Sequence, residues 1–268
     1  MAEPDSSMKP KRSSLLWAID GEALPGTSYV FGTMHVRHSC AFGQLPVVHA
    51  AIDACTTFAT EIHLDDDAAI SQLPFLPHDF AFSQYLSNKQ YARLQHILQR
   101  AFGLNLAHFD RLHPMLLSSL LEARVLANDM PEALDKQLWL YAKQKDKVLT
   151  EIESLETQIA VLQQIPIAYQ IKSLLKTIRH TARYRRQLRH MMALYEQGDI
   201  RTLYQATRRG SQQMRRALLY DRNVRMAARI ATLAQQSTVC CAIGAAHLSG
   251  GKGVIRLLRH KKLIVKPV

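Results

Sequence analysis

Two histidines stand at matching places in this chain. Gly32-Thr33-Met34-His35 follows the apolar run Ser28-Tyr29-Val30-Phe31, and Gly244-Ala245-Ala246-His247 follows Thr238-Val239-Cys240-Cys241-Ala242-Ile243. With 11 Gly and 12 His in the chain, chance supplies roughly 0.5 copies of G-x-x-H, so the spacing alone is weak. The strand context is stronger, because it puts both imidazoles on loops at one edge of a sheet. Glycine there allows a sharp turn and close backbone approach to a ligand. Glu61 closes a third apolar run, Phe58-Ala59-Thr60-Glu61-Ile62-His63. A carboxylate in that place is costly to bury unpaired, so it reaches solvent or meets a cation. Period-two alternation sets Glu61 and His63 on one strand face. Two imidazoles and a carboxylate make a divalent-metal or general acid–base constellation. The competing reading is two loop histidines in ordinary hydrogen bonds.

Other chemistry-bearing residues read both ways. Asp65-Asp66-Asp67 resembles metal bait, but ahead of Ala68-Ala69-Ile70 it reads better as a helix cap and first turn. Ser154, Thr157 and Gln158 mark a helix start, which makes Glu156 either a dipole partner or an inward-facing acid. Arg222 lies among many helix arginines. Cys240 and Cys241 read as small buried hydrophobes of a strand.

The elements that must position these residues are readable from periodicity. Strands are expected at Leu15–Ile19, Ser28–Gly32, Thr56–Ile62, Lys147–Ile152, Thr238–Ile243 and Leu263–Val265. Helices are expected at Val47–Ala54, Asn88–Arg100, Pro114–Ala127, Pro131–Ala142, Pro166–Tyr195, Ser211–Gln235 and Gly253–Arg259. Strands at both ends and in the middle imply an α/β (α+β) domain over residues 15–268, with a central mixed sheet built from sequence-distant strands. Helical insertions at about 64–144 and 155–236 form a large lobe. Ligands of open α/β sheets bind beyond the carboxyl ends of the strands.

The chain has 268 residues, 47% of them hydrophobic and 21% charged, with a net charge of +12, which fits a packed protein and argues against overall disorder. Residues 1–14 read as a disordered tail with no apolar stretch before a small-residue cleavage site. Four cysteines without C-x-x-C are too few for a disulfide scaffold. The expectation is a reduced, cytoplasmic protein with no transmembrane segment. Lys172, Lys176, Arg179, Arg183, Arg185, Arg186 and Arg189 have no acid between them. They make either a solvated basic face or a contact surface for nucleic acid or anionic membrane. Binding of heme or another ligand at the histidines without turnover is a third reading.

The segments W-A-I-D-G, S-Y-V-F-G-T-M-H-V and A-T-E-I resemble the start of the TraB/PrgY/GumN family, within the wider Tiki-like group. Leu134-Asp135-Lys136-Gln137-Leu138, Leu155-Glu156-Thr157-Gln158, Asp221-Arg222-Asn223 and Ala242 to Leu248 match later parts in the family's order. So does the closing Gly250-Gly251-Lys252-Gly253. The resemblance implies an active-site set of His35, His247, Glu61 and Arg222, with Glu156 and Asn223 in support. It implies a divalent metal of manganese or cobalt type, with zinc as a further candidate; His35, His247 and a carboxylate, Glu61 first and Glu156 second, would hold it, and the other carboxylate would take the proton. It also implies hydrolysis of a peptide-like or small-molecule substrate through metal-activated water. Relatives are linked to heme handling, esterase chemistry and peptide-pheromone shutdown, so the resemblance fixes a site better than a substrate. The chain is expected to depart from the family in lacking a secretory signal and the membrane tail of some relatives, and it carries Lys143-Gln144-Lys145-Asp146-Lys147 where many have glycine.

Overall fold

A computed structural model describes residues 13–65, 81–126, 129–207 and 216–268. Six strands form one mixed sheet: β1 (Leu16–Asp20), β2 (Ser28–Thr33), β3 (Thr57–Thr60), β4 (Val148–Glu151), β5 (Val239–Gly244) and β6 (Ile264–Pro267). Their spatial order is β4-β3-β5-β2-β1-β6. The run β4-β3-β5-β2 is parallel, while β1 pairs antiparallel with both β2 and β6. The strands fall where the short apolar runs predict them. β5 is buried along Val239–Ile243, as a central parallel strand covered on both faces must be.

Around the sheet lie α1 (Leu45–Asp53), α2 (Asn88–Phe102), α3 (Pro114–Val125), α4 (Leu134–Gln144) and α5 (Leu155–Gln163). Then come α6 (Ile167–Arg179), α7 (Thr181–Glu196), α8 (Ile200–Thr207), α9 (Asp221–Gln236) and α10 (Val254–His260). The α2 boundaries are set by local chemistry. Ser87 and Gln90 form a reciprocal capping box, and Gly103 closes the helix at φ 67°. No helix among the described residues is long and apolar enough to cross a membrane.

Two expected helices differ in outline. Pro131 does not start a helix; Leu134 does. The Met130 N–H bonds Arg37 O at 3.1 Å and the Leu134 N–H bonds Val36 O at 3.2 Å, so the segment is drawn out along the chain that follows β2. The stretch expected to run from Pro166 to Tyr195 is broken at His180 into α6 and α7. No proline or glycine marks the break. Its reason is packing: Ile171, Leu174 and Ile178 face a core shared with Leu98, Leu117 and Leu121 of α2 and α3. Leu188, Met192 and Tyr195 instead join the core under the sheet. One straight helix could not serve both. Residues 211–215 of the expected Ser211–Gln235 helix lie outside the described residues; a π-helical turn at Arg216–Tyr220 leads into α9.

Gly32 shows why β2 must end as it does. A Cβ there would stand 2.6 Å from Leu248 Cδ1 and 3.0 Å from Ala245 Cα, so the backbones of β2 and the turn after β5 touch. The Tyr195 hydroxyl donates to Gly32 O at 2.7 Å and closes the other side. Gly32→Ala is therefore expected to lower stability by about 1–3 kcal/mol through overpacking, read as an earlier urea midpoint.

Candidate active site

Because β2, β5, β3 and β4 are parallel, their carboxyl ends lie along one edge. Thr33 is opposite Gly244, and Thr60 is opposite both Ala242 and Glu151. His35, His247, Glu61 and Glu153 are the residues that leave those four strands. The Glu153 N–H bonds Glu61 O at 2.8 Å, so these two glutamates depart side by side. The Gly244 N–H bonds Glu61 Oε1 at 2.6 Å. A Cβ on Gly244 would lie 3.1 Å from that oxygen, so glycine serves here for close approach. Its φ of −54° is open to any residue.

His247 sits in the short turn Ala245–His247 and is 6% exposed. Its Nδ1 lies 2.5 Å from Asn223 Oδ1. The Asn223 amide is itself oriented, since Nδ2 donates to Lys252 O at 2.7 Å. An amide oxygen only accepts, so Nδ1 carries the proton and Nε2 the lone pair. That lone pair faces Glu61 Oε1 at 3.8 Å. Burial pushes the His247 pKa down to about 4 against the pull of Glu61, so the ring is neutral at pH 7. His35 contrasts with it. Its side chain is 79% accessible, and Nδ1 lies 2.8 and 2.9 Å from the two oxygens of Asp135. Asp135 raises the His35 pKa by hydrogen bond and by charge, and Glu61 adds to it. The drawn-out segment before α4 is what delivers Asp135 to this place.

Glu61 is clamped as well. Arg222 Nη2 donates to Glu61 Oε2 at 2.6 Å, and Nε donates to Glu153 Oε2 at 2.7 Å. Arg225 reaches the other Glu153 oxygen at 3.3 Å, and Gln158 Nε2 reaches Glu61 Oε2 at 3.4 Å. Two carboxylates thus face two guanidinium groups. Burial works to raise the Glu61 pKa; His247, Arg222 and the Gly244 N–H overcome it and hold the carboxyl below its usual range.

These placements sort the expected site residues. The fold brings Glu61, Arg222, Asn223 and His247 into direct contact, with His35 on the neighbouring strand end. Glu156 is exposed in the first turn of α5, the dipole position, and the inward carboxylate is Glu153, 5% exposed. His63 does not share a face with Glu61. β3 ends at Thr60, and the His63 ring meets the edge of Trp139 at 4.7 Å. Asp65 accepts from Trp139 Nε1 and Lys143 Nζ, while Asp66 and Asp67 lie outside the described residues. Sequence reasoning passed over Glu153 and Asp135. The strand-end argument applied to β4 would have found Glu153, whereas Asp135 has no local signal. On the basic surface, Arg183, Arg186 and Arg189 are exposed, but Arg185 turns inward to Ala101 O and Phe102.

A divalent cation fits the donor types here, although His35, His247 and Glu61 are not drawn together as a ready cage. Among the described residues no group of three or more His, Cys, Asp or Glu side chains stands at metal-holding spacing. Ligands ~2.0–2.2 Å from a tetrahedral ion lie ~3.4 Å apart, near the 3.8 Å between His247 Nε2 and Glu61 Oε1. Both imidazoles are held through Nδ1 by an oxygen, the arrangement that turns Nε2 toward a metal.

The pH response of stability follows from His247. Its folded pKa is depressed, so its contribution is full above the unfolded value of about 6.5 and lost as pH falls toward about 4. That gap corresponds to ~3 kcal/mol, and Glu61, also depressed, carries the loss further below. Urea denaturation between pH 7 and 4.5 is expected to show this decline, and His247→Gln is expected to flatten its upper part.

A model of the TraB/PrgY/gumN family matches residues 15–267. Relatives include Metalloprotease TIKI1 of Danio rerio, 25% identical over 93% of this chain and 62% of the relative. The chain therefore spans less than two thirds of that relative. Uncharacterized protein YbaP of Shigella flexneri is 28% identical over 92% of this chain and 98% of its own length. The YbaP of Escherichia coli (strain K12) is 29% identical over 75% of this chain and 77% of its own. No solved structure matches the chain.

Proposed function

Because the chain belongs to the TraB/PrgY/gumN family, we propose that it is a metal-dependent hydrolase of peptide-like substrates, with its centre at the carboxyl ends of β2, β3 and β5. The observation that carries this reading is the pair of imidazoles, each fixed through Nδ1 by an oxygen, on neighbouring strand ends beside Glu61. A relative that is named a metalloprotease supports it.

His35 Nε2, His247 Nε2 and Glu61 Oε1 would hold the ion. When bound, a divalent ion polarises a carbonyl and lowers the pKa of a water molecule toward neutrality. Asn223 and Asp135 keep the two rings in the ligating tautomer. Arg222 is a positioning residue: its Nη2 and Nε are taken by Glu61 and Glu153, so it orients the two carboxylates. Proton transfer falls to Glu122 on α3. The Tyr184 hydroxyl donates to one of its oxygens at 3.1 Å, its charge acts on His35, and its exposed side chain is open to solvent water.

The test is elemental analysis of protein purified without chelator, alongside hydrolysis of a fluorogenic peptide library. His35→Ala and His247→Ala are expected to lose both metal and turnover. Glu122→Gln is expected to keep the metal and lose turnover about 10²–10⁴-fold. Unchanged metal content and hydrolysis in both histidine variants would remove the proposal.

A further inference from the structure

Behind the turn that carries His247, a cavity of about 430 Å³ opens between α8 and α10. It is separate from the strand-end cluster, since neither histidine, Glu61, Glu153 nor Arg222 lines it. Its volume is that of a site for a small molecule.

The wall chemistry is one-sided. Arg201 of α8 and Arg256 and Arg259 of α10 line the cavity, and no carboxylate does. Arg259 is spent internally. Its Nε and Nη2 donate to Val265 O at 3.2 and 2.5 Å, and its guanidinium lies 5.5 Å over the Trp17 ring. Among the described residues Arg256 hydrogen-bonds only to a ring nitrogen, Nε to His260 Nε2 at 3.3 Å. No carboxylate among the described residues is within salt-bridge distance of Arg201 or Arg256. Asp199, beside Arg201 in sequence, offsets part of that arginine's charge without pairing with it at salt-bridge distance, and the three guanidinium groups still give the recess a positive field that an anion relieves. Arg222, by contrast, is paired with two carboxylates, Glu61 and Glu153.

The turn after His247 packs directly on an aromatic ring of the recess. Gly250 has φ 99°, and a Cβ there would fall 2.4 Å from the Tyr204 ring. Tyr204 and Trp17 thus give the recess an aromatic side. Planar guanidinium forks suit the oxygens of a phosphate, and the aromatic side suits an apolar or ring-bearing remainder.

We infer that this cavity binds a small organic phosphate, with the phosphate on Arg201 and Arg256 and the remainder against Tyr204 and Trp17. The inference is independent of hydrolysis at the histidine site. Both arginines are exposed, so their replacement leaves the fold intact.

Isothermal titration at fixed ionic strength with inorganic pyrophosphate and with phenyl phosphate tests it. Both are expected to bind, phenyl phosphate more tightly than inorganic phosphate. The R201Q/R256Q variant is expected to weaken binding by at least about 30-fold, a size set by charge-assisted hydrogen bonds. R183Q/R186Q, which removes two exposed arginines of α7, is expected to leave binding within about 2-fold; the same loss in that variant would reduce the effect to net charge and overturn the site. Equal binding by wild type and R201Q/R256Q would overturn it too. So would tight binding of succinate with pyrophosphate silent, because the ligand would then be a carboxylate.

Discussion

Arg222→Met is expected to lower the unfolding free energy by about 3–5 kcal/mol, because it strands buried charge. Arg222 is 13% accessible, between Glu61 at 23% and Glu153 at 2%. Without the guanidinium, Glu153 keeps only Arg225 at 3.3 Å, and Glu61 keeps the Gly244 N–H and Gln158. Arg222→Lys retains the charge but cannot bridge two carboxylates with a rigid fork, so its loss is expected to be smaller. The triple variant R222M/E61Q/E153Q removes the stranded charges and is expected to recover part of the deficit. Urea midpoints at pH 7 decide this. A wild-type midpoint for Arg222→Met would mean that the clamp does not hold the strand ends together.

The second large effect belongs to Trp139→Ala, expected at about 3–5 kcal/mol. The Trp139 side chain on α4 is wholly buried. Its ring meets Phe58 of β3 at 6.5 Å and His63 at 4.7 Å, both edge to face. Its Nε1–H donates to Asp65 Oδ1 at 2.9 Å. Alanine removes an apolar mass joining helix to sheet and leaves Asp65 without that donor. Trp139→Phe keeps most of the volume and is expected to lose less. Thermal denaturation followed by far-UV circular dichroism separates the two variants. Because α4 also carries Asp135, the alanine variant is expected to loosen the His35 ring, visible as a shift in its imidazole proton resonances.

Much of the sheet and part of this site could be read from residue order. The six apolar runs became the six strands because each is short, β-branched and bounded by turn residues. Strand ends then foretold that His35, His247 and Glu61 would meet one edge, since parallel strands deliver their carboxyl ends together. Three things were not legible. The split at His180 has no local breaker and arises from two cores pulling one amphipathic stretch apart. The late start at Leu134 comes from backbone pairing with Val36 and Arg37, a contact across nearly a hundred residues. Glu153 and Glu156 are equivalent in composition. What separates them is that Glu153 still follows the strand line beside Glu61, whereas Glu156 has entered a helix and turned outward.

The position of β5 has a consequence for the nascent chain. It lies between β3 and β2, yet about 180 residues separate Thr60 from Val239. At about 5–20 residues per second, a ribosome takes roughly 10–40 s to cover that distance. Throughout that interval the two earlier strands present open flanks with nothing to seat between them. A chain truncated before Val239 would keep those flanks unpaired and open to edge-to-edge pairing with another copy.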